Sequence, residues 1–412
     1  MTALDTKAGR GAATDVDARA YRLSDIDMVR GLVIAIMAID HTRDFVLAGT
    51  VQDPTTNPDI SAAIFFTRWI THFCAPVFVF LAGTSAGLMA TRRSPSWLGG
   101  FLLKRGIWLI VVEFFVISTG WSFAPLGLDQ LDGLIPVAMQ VIWAIGASMV
   151  ILGGAQFLGR HACLLIGLAI VFGHNLLDPV WPNTPAPPDG VATTGPLWAA
   201  LHSQVLWVLG PFRFRFQYPL LPWTGVMLFG FGASQIFQEP SERRRRWLLG
   251  CGVAGTVGFV LLRASGVYGE PDPWQSGGGA MRTTIDFLNT SKYPPSLLYL
   301  LMTLGPAAIL CAVADRVPEM VRRPLITFGR VPFAFYVAHI YLIHTLAVAI
   351  GVGQGFQPGQ MAVNGRFLPA GYGLPLPYVY VVWAFVLVAL YPLCRWVASV
   401  KARRKDWWLS YV

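Results

Sequence analysis

Ten apolar runs of near membrane-spanning length divide the chain, centred in 26–46, 69–90, 98–119, 134–157, 162–177, 219–238, 247–265, 295–314, 331–351 and 377–399. A helix needs about 20 such residues to cross ~30 Å of hydrocarbon, so each run reads as one span. The fifth is short and suits a tilted or partial span. Between the runs lie polar stretches of two kinds, some short and basic, others long and rich in Pro, Gly and Trp, such as DPVWPNTPAPPDG and YGEPDPWQSGGG. The alternation predicts an all-α polytopic membrane protein of about ten transmembrane helices. Residues 1–20 are polar and predict a disordered cytoplasmic tail; 21–400 form a single transmembrane domain, and 401–412 a basic cytoplasmic tail.

Charge sharpens this picture. Only 13% of residues are charged and 54% are hydrophobic, whereas soluble domains carry about 25% charged residues. Placing both termini in the cytoplasm puts most basic residues in cytoplasmic loops, as the positive-inside rule requires. The net charge of +9 therefore has a home that needs no nucleic acid. The long connections 47–66, 178–217, 266–292 and 352–376 then fall outside, as turns and lids over an embedded site or as plain solvated connectors. Residues 1–20 lack an apolar core and cleavage-like site, so the first helix is expected to be an uncleaved anchor in the inner (plasma) membrane. The five cysteines, Cys74, Cys163, Cys251, Cys311 and Cys394, stand singly in apolar segments and predict no metal site.

Chemistry concentrates where lipid does not tolerate it. The first run, RLSDIDMVRGLVIAIMAIDHTRDF (22–45), has Arg30 near its start and His41 near its finish. Eleven helical residues are about three turns and 16 Å, so the two share one face. An intramembrane ionisable residue is a functional candidate by default, with a bundle-facing structural pair as the alternative. An imidazole that titrates near ~6.5 suits a general base, and Asp40 or Asp44 is positioned to orient it. His72 at the start of the second run is either a partner of His41 or an interfacial histidine beside Trp69. In the ninth run His339 and His344 point about 140° apart, so one lines the cavity and the other packs. Lys292 and Tyr293 enter the eighth run from outside, where Lys292 binds an anionic group or snorkels. Glu113 and Gln140 read as satisfied within the bundle, His174 and Asn175 as weak candidates, and His161 and His202 as surface residues. Gly83 and Gly87 have the spacing of close helix packing. There is no Walker loop, no GxGxxG after a strand, no HExxH and no GxSxG elbow at a strand-to-helix turn.

The opening stretch, with ITHFCAPVFVFLAGTSAG, FGRVPFAFYVAHIYLIH, MQVIWAIG, GHNLLD, YPLLPWTGVM and SKYPPSLLYLL, resembles the heparan-α-glucosaminide N-acetyltransferase catalytic-domain family, bacterial branch, within the transmembrane acyltransferase superfamily. The Arg30 to His41 spacing is also similar to an Arg-ten-residues-His motif of bacterial membrane O-acyltransferases. The resemblance implies transfer of an acetyl or similar acyl group from cytoplasmic acyl-coenzyme A to an extracytoplasmic acceptor, a sugar amine or hydroxyl. On that basis the coenzyme phosphates would meet Arg22, Arg92, Arg93, Lys104 or Arg105, its arm would pass Arg30, and the thioester would reach a catalytic set of His41, Asp40, Asp44, His72 and His339. The acceptor would meet Arg43, Lys292, Tyr293, His344 and Trp223, with Trp181, Trp198, Trp207 and Trp274 as further sugar-stacking candidates. The lysosomal members differ, with an Asn in the position of His41 and their catalytic His in the following loop. The partners expected are the bilayer, acyl-coenzyme A and a carbohydrate acceptor; a homo-oligomer stays open. A transporter using Arg30, His41 and His339 as a polar pathway, and a non-catalytic scaffold, are the competing classes.

Overall fold

In this computed structural model the backbone is described for residues 4–49, 55, 60–123, 135–179, 195–203, 206–363, 365, 368–404 and 406–410, and the side chains of the first helix from Ser24 onward. Helices follow in the order α1 (Leu4–Val46), α2 (Ala62–Trp69), α3 (Cys74–Met89), α4 (Pro95–Val112), α5 (Ser118–Ser122), α6 (Val141–Ala155), α7 (Arg160–Gly173), α8 (Pro196–Leu201), α9 (Leu220–Ala233), α10 (Ser241–Ser265), α11 (Ala280–Leu288), α12 (Leu297–Ala312), α13 (Glu319–Arg330), α14 (Pro332–Gly353), α15 (Pro358–Met361) and α16 (Leu376–Arg403). Each apolar run of the sequence falls mainly on helix. Among the described residues seven helical stretches are long and apolar enough to cross a membrane, and α12 is apolar but shorter. The first helix extends back to Leu4, into the stretch expected as a disordered tail.

The run at 134–157 is not helix throughout. Its first part is strand β1 (Ile135–Met139), which pairs in parallel with β3 (Phe212–Phe216), while β2 (Leu206–Leu209) pairs antiparallel with β3. The sequence IPVAM is apolar enough to pass for the start of a span, but its backbone groups find partners in the alternating FRFRF strand. Gly210, at φ +55°, opens the two-residue turn between β2 and β3. This sheet leads directly into α6 and α9.

Glu113 explains where α6 begins. It opens a π-helical turn, Glu113–Ile117, between α4 and α5, in which Ser118 N–H bonds to the Glu113 carbonyl. Its buried carboxylate accepts the Trp143 N–H at 3.0 Å, capping the first turn of α6 where a backbone donor would otherwise be orphaned.

Two helix contacts are close enough to exclude side chains. A Cβ on Gly31 would lie 1.8 Å from the Leu325 carbonyl oxygen, and one on Gly329 1.8 Å from that of Asp27, so α1 and α13 touch backbone to backbone. Nearby, Asp25 is shared by Arg244 and Arg322, each at 3.3 Å, tying α1 to α10 and α13. In the connections beyond α10, Arg263 donates to the carbonyls of Phe287, Asp272, Asp286 and Asn289 at 2.8–3.1 Å. Glu270 accepts from Ser291 N–H at 3.0 Å and Ser296 Oγ–H at 2.7 Å, and burial pushes its carboxyl up to about 7.

Candidate active site

The site is assembled at the later end of α1. His41 is partly buried, and its Nδ1 lies 2.7 Å from Nε2 of His339 on α14. Trp121 of α5 meets its ring edge-on at 4.9 Å between centroids, and Tyr336, one turn before His339, does so at 6.3 Å. Trp121 lies in turn against Phe45 at 5.3 Å. The imidazole thus sits in an aromatic box with a second imidazole as its hydrogen-bond partner.

The carboxylates expected to orient His41 are committed elsewhere. Asp40 lies 2.9 Å from Arg43 Nη1 and accepts from Arg68 Nη1 at 3.1 and 3.3 Å. Asp44 accepts from Arg43 Nη2 at 2.5 Å. Both arginine side chains are almost fully buried, at 3% and 5% exposure, and a buried guanidinium without a counter-charge would cost several kcal/mol. The demand of Arg43 and Arg68 for charge compensation therefore overrides sequence adjacency to His41. Arg43, expected to touch the acceptor, is part of this ionic knot.

His72 is buried against the ring of Tyr299, 5.4 Å away, and its carbonyl accepts the Tyr299 hydroxyl at 2.7 Å. Lys292 lies half-buried with its ammonium 5.2 Å over the Tyr293 ring, and within electrostatic reach of Asp40 and His41. Tyr293 donates to the Tyr218 hydroxyl at 3.3 Å. Trp223 is fully buried, 5.3 Å from Tyr218, so it is core and offers no face to a sugar. His344 points away from His41: its Nδ1 is 2.9 Å from the Gly120 carbonyl and its Nε2 3.0 Å from that of Met361, with Phe123 stacked on its ring at 3.7 Å. It clamps α5 and α15 to α14.

At the other end of α1, Arg30 donates to Asp27 at 2.9 Å, Ser85 Oγ at 3.1 Å and the Gly329 carbonyl at 3.2 Å. Arg92 and Arg93 are exposed in the turn before α4, the latter 4.6 Å over the Trp97 ring; Lys104 is exposed and Arg105 half-buried on α4. Lys401 of α16 is within electrostatic reach of Arg105, Arg30 and Asp27 and joins this basic end. The Arg22 side chain and Trp181 lie outside the described residues.

A second group lies apart. His202, expected on the surface, is fully buried, with Nε2 3.2 Å from the His174 carbonyl and 3.6 Å from Asp178, while Trp198 stacks on it at 5.4 Å. Burial holds its imidazole below the usual range. Trp207 lies against Phe214 at 5.4 Å and Trp274 meets Phe287 edge-on at 5.3 Å, so both contribute to packing. Among the described residues no group of three or more His, Cys, Asp or Glu side chains is placed to hold a metal ion.

Trp121 and Lys401 carry no signal in sequence that points to the site. An apolar tryptophan at the end of a span and a lysine in a basic tail are ordinary there.

A family model described as heparan-alpha-glucosaminide N-acetyltransferase, catalytic, matches residues 22–256. That segment contains His41, the ionic knot and Trp121; His339, Lys292 and Lys401 come from the chain beyond it. No curated protein matches the chain.

Proposed function

The chain belongs to the heparan-α-glucosaminide N-acetyltransferase catalytic family, a family of membrane acetyltransferases, and from that premise we propose that it moves an acetyl or similar acyl group from cytoplasmic acyl-coenzyme A to an extracytoplasmic sugar amine or hydroxyl. His41 is the general base. The observation that carries the reading is the His41 ring itself: it is held at Nδ1 by His339 in an aromatic, largely buried setting, while Nε2 has no partner among the described residues. A base needs one nitrogen anchored and one open.

The two ends of α1 divide the work. The basic end, with Arg30, Arg92, Arg93, Lys104, Arg105, Lys401 and Arg22, receives the coenzyme phosphates from the cytoplasm. The His41 end receives the acceptor, with Lys292 and Tyr293 beside it and the Asp40–Arg43–Asp44–Arg68 knot as the rigid wall that fixes the backbone of α1. Either His72 or a backbone amide supplies the donor to the oxyanion.

The test is incubation of purified protein with labelled acetyl-coenzyme A and a panel of amino sugars and glycans, wild type against His41→Ala. Label transfer in wild type, lost in the variant, is the expected result. If neither transfer nor thioester hydrolysis depends on His41, the acyltransferase mechanism is wrong.

A further inference from the structure

The contact between His41 and His339 fixes more than proximity. Their ring centroids are 4.9 Å apart and their planes lie within 20° of each other, while the facing nitrogens are 2.7 Å apart. That centroid separation is close to the nitrogen–nitrogen distance plus two ring radii. Both nitrogens therefore lie on the line between the rings, and the imidazoles meet edge to edge and nearly coplanar, as an in-plane hydrogen bond requires. Face-to-face stacking would leave the nitrogens off that line.

The tautomers follow from the other nitrogen of His339. Its Nδ1 is 2.5 Å from the Tyr336 carbonyl and 3.1 Å from that of Phe335, both on its own helix. Carbonyl oxygens only accept, so Nδ1 carries a proton, and a neutral His339 keeps its lone pair at Nε2. That lone pair accepts from His41 Nδ1–H. His41 is then left with its own lone pair at Nε2, the open nitrogen. Among the described residues no carboxylate is hydrogen-bonded to either ring, and apart from these hydrogen bonds the two imidazoles make ring contacts with Trp121, Tyr336 and Phe335.

We propose that His339 is a positioning residue for acyl transfer, which holds His41 as the Nδ1–H tautomer and shares the positive charge that forms when His41 Nε2 takes a proton from the acceptor. The kinetic part of this rests on the reading of His41 as the base. The acceptor's O–H or N–H proton passes to His41 Nε2 as its oxygen or nitrogen bonds to the acyl carbon. The carbon–sulfur bond breaks, and the departing thiolate takes that proton from Nε2–H, so the imidazole returns to its starting state. The Nδ1 proton stays throughout in the bond between the two rings. An imidazole in this position does the orienting work of a carboxylate without a resting negative charge in the bundle, which would be costly unless paired. The nearby carboxylates are already spent on Arg43 and Arg68.

Two measurements test the proposal. In protein labelled with ¹⁵N-histidine and reconstituted in bilayers, the resonances lost in His41→Ala should report a ring protonated at Nδ1, bare at Nε2 and coupled to a second imidazole; a His41 protonated at Nε2 overturns the assignment. In turnover assays His339→Leu should lower kcat by about 10²-fold or more with KM for acetyl-coenzyme A unchanged. His339→Gln, whose carbonyl oxygen accepts from Nδ1–H, should recover most of that loss. Wild-type kcat in His339→Leu, or a Gln variant no better than Leu, overturns the positioning role. If the wild type transfers no acyl group at all, the base assignment and the kinetic role fall together, and the coupling between two imidazole rings in the labelled wild type still decides the tautomer.

Discussion

Arg43, buried to 3% exposure between Asp40 and Asp44, shows how charge compensation decides which side chains are available to His41. In sequence both Asp40, beside His41, and Asp44, at i+3, stand as candidate partners; in the bundle two guanidiniums claim both carboxylates, and the partner comes from a helix almost 300 positions later. Periodicity could place His41 and Arg30 on one face and separate His339 from His344 because helix geometry is local. It could not supply the pairing between α1 and α14, since nothing in either segment encodes which helix lies opposite. One prediction belongs to the base: His41→Gln should reduce acyl transfer by roughly 10²- to 10⁴-fold while the thermal unfolding profile stays near wild type. Another concerns Glu270. Its carboxyl is pushed up to about 7 from the ordinary 4.5, so between those pH values the folded chain holds more protons than the unfolded one and stability falls as pH rises. Glu270→Gln keeps an acceptor for Ser291 and Ser296 and removes the ionisation. The variant should be more stable than wild type at pH 8 by about 1–3 kcal/mol, with the difference vanishing below pH 4.5; unfolding followed by tryptophan fluorescence across pH checks it.

Among the elements, α13 is one that the pattern of apolar runs did not reveal. It is too short and too basic to cross a bilayer, carrying Arg322, Arg323 and Arg330 in twelve residues, and a search for spans passes over it. Yet it packs on α1 without side chains between them at Gly31 and Gly329. That contact sets the position of the Arg30 end, because Arg30 itself bonds to the Gly329 carbonyl. Gly31→Ala puts a methyl 1.8 Å from a backbone oxygen that no rotamer change can relieve. The expected outcome is a loss of about 1–3 kcal/mol or more, with a displaced donor end: KM for acetyl-coenzyme A should rise more than kcat falls. Equal KM values in the two proteins would show that α13 does not position this end. The spacing of Gly83 and Gly87 was legible, by contrast, and the structure brings Gly83 within reach of the Met227 carbonyl on α9.

For the molecule as a whole, the apolar runs announced nearly every long helix, since hydrocarbon thickness imposes one length on all of them. The three-stranded sheet left no such mark: β1 is apolar sequence continuous with α6, and its partner strand lies more than 70 positions away. The proposed division between a donor end and an acceptor end has a vectorial consequence that liposomes can read. Protein reconstituted in one orientation should consume acetyl-coenzyme A supplied on the Arg30 side and release acylated sugar on the His41 side; product on the donor side alone would contradict it. The π-helical turn at Glu113–Ile117 adds a different kind of leverage. It holds one residue more than an α-helical turn would, so the residue count after it is out of phase with α4 by ~100°. Deleting Phe115 would remove that residue and close a regular helix with Trp121 still on the His41 ring and the Gly120 carbonyl still facing His344, because the turn already absorbs the same ~100°. A well-folded chain that keeps its base at work is the expected phenotype of that single deletion.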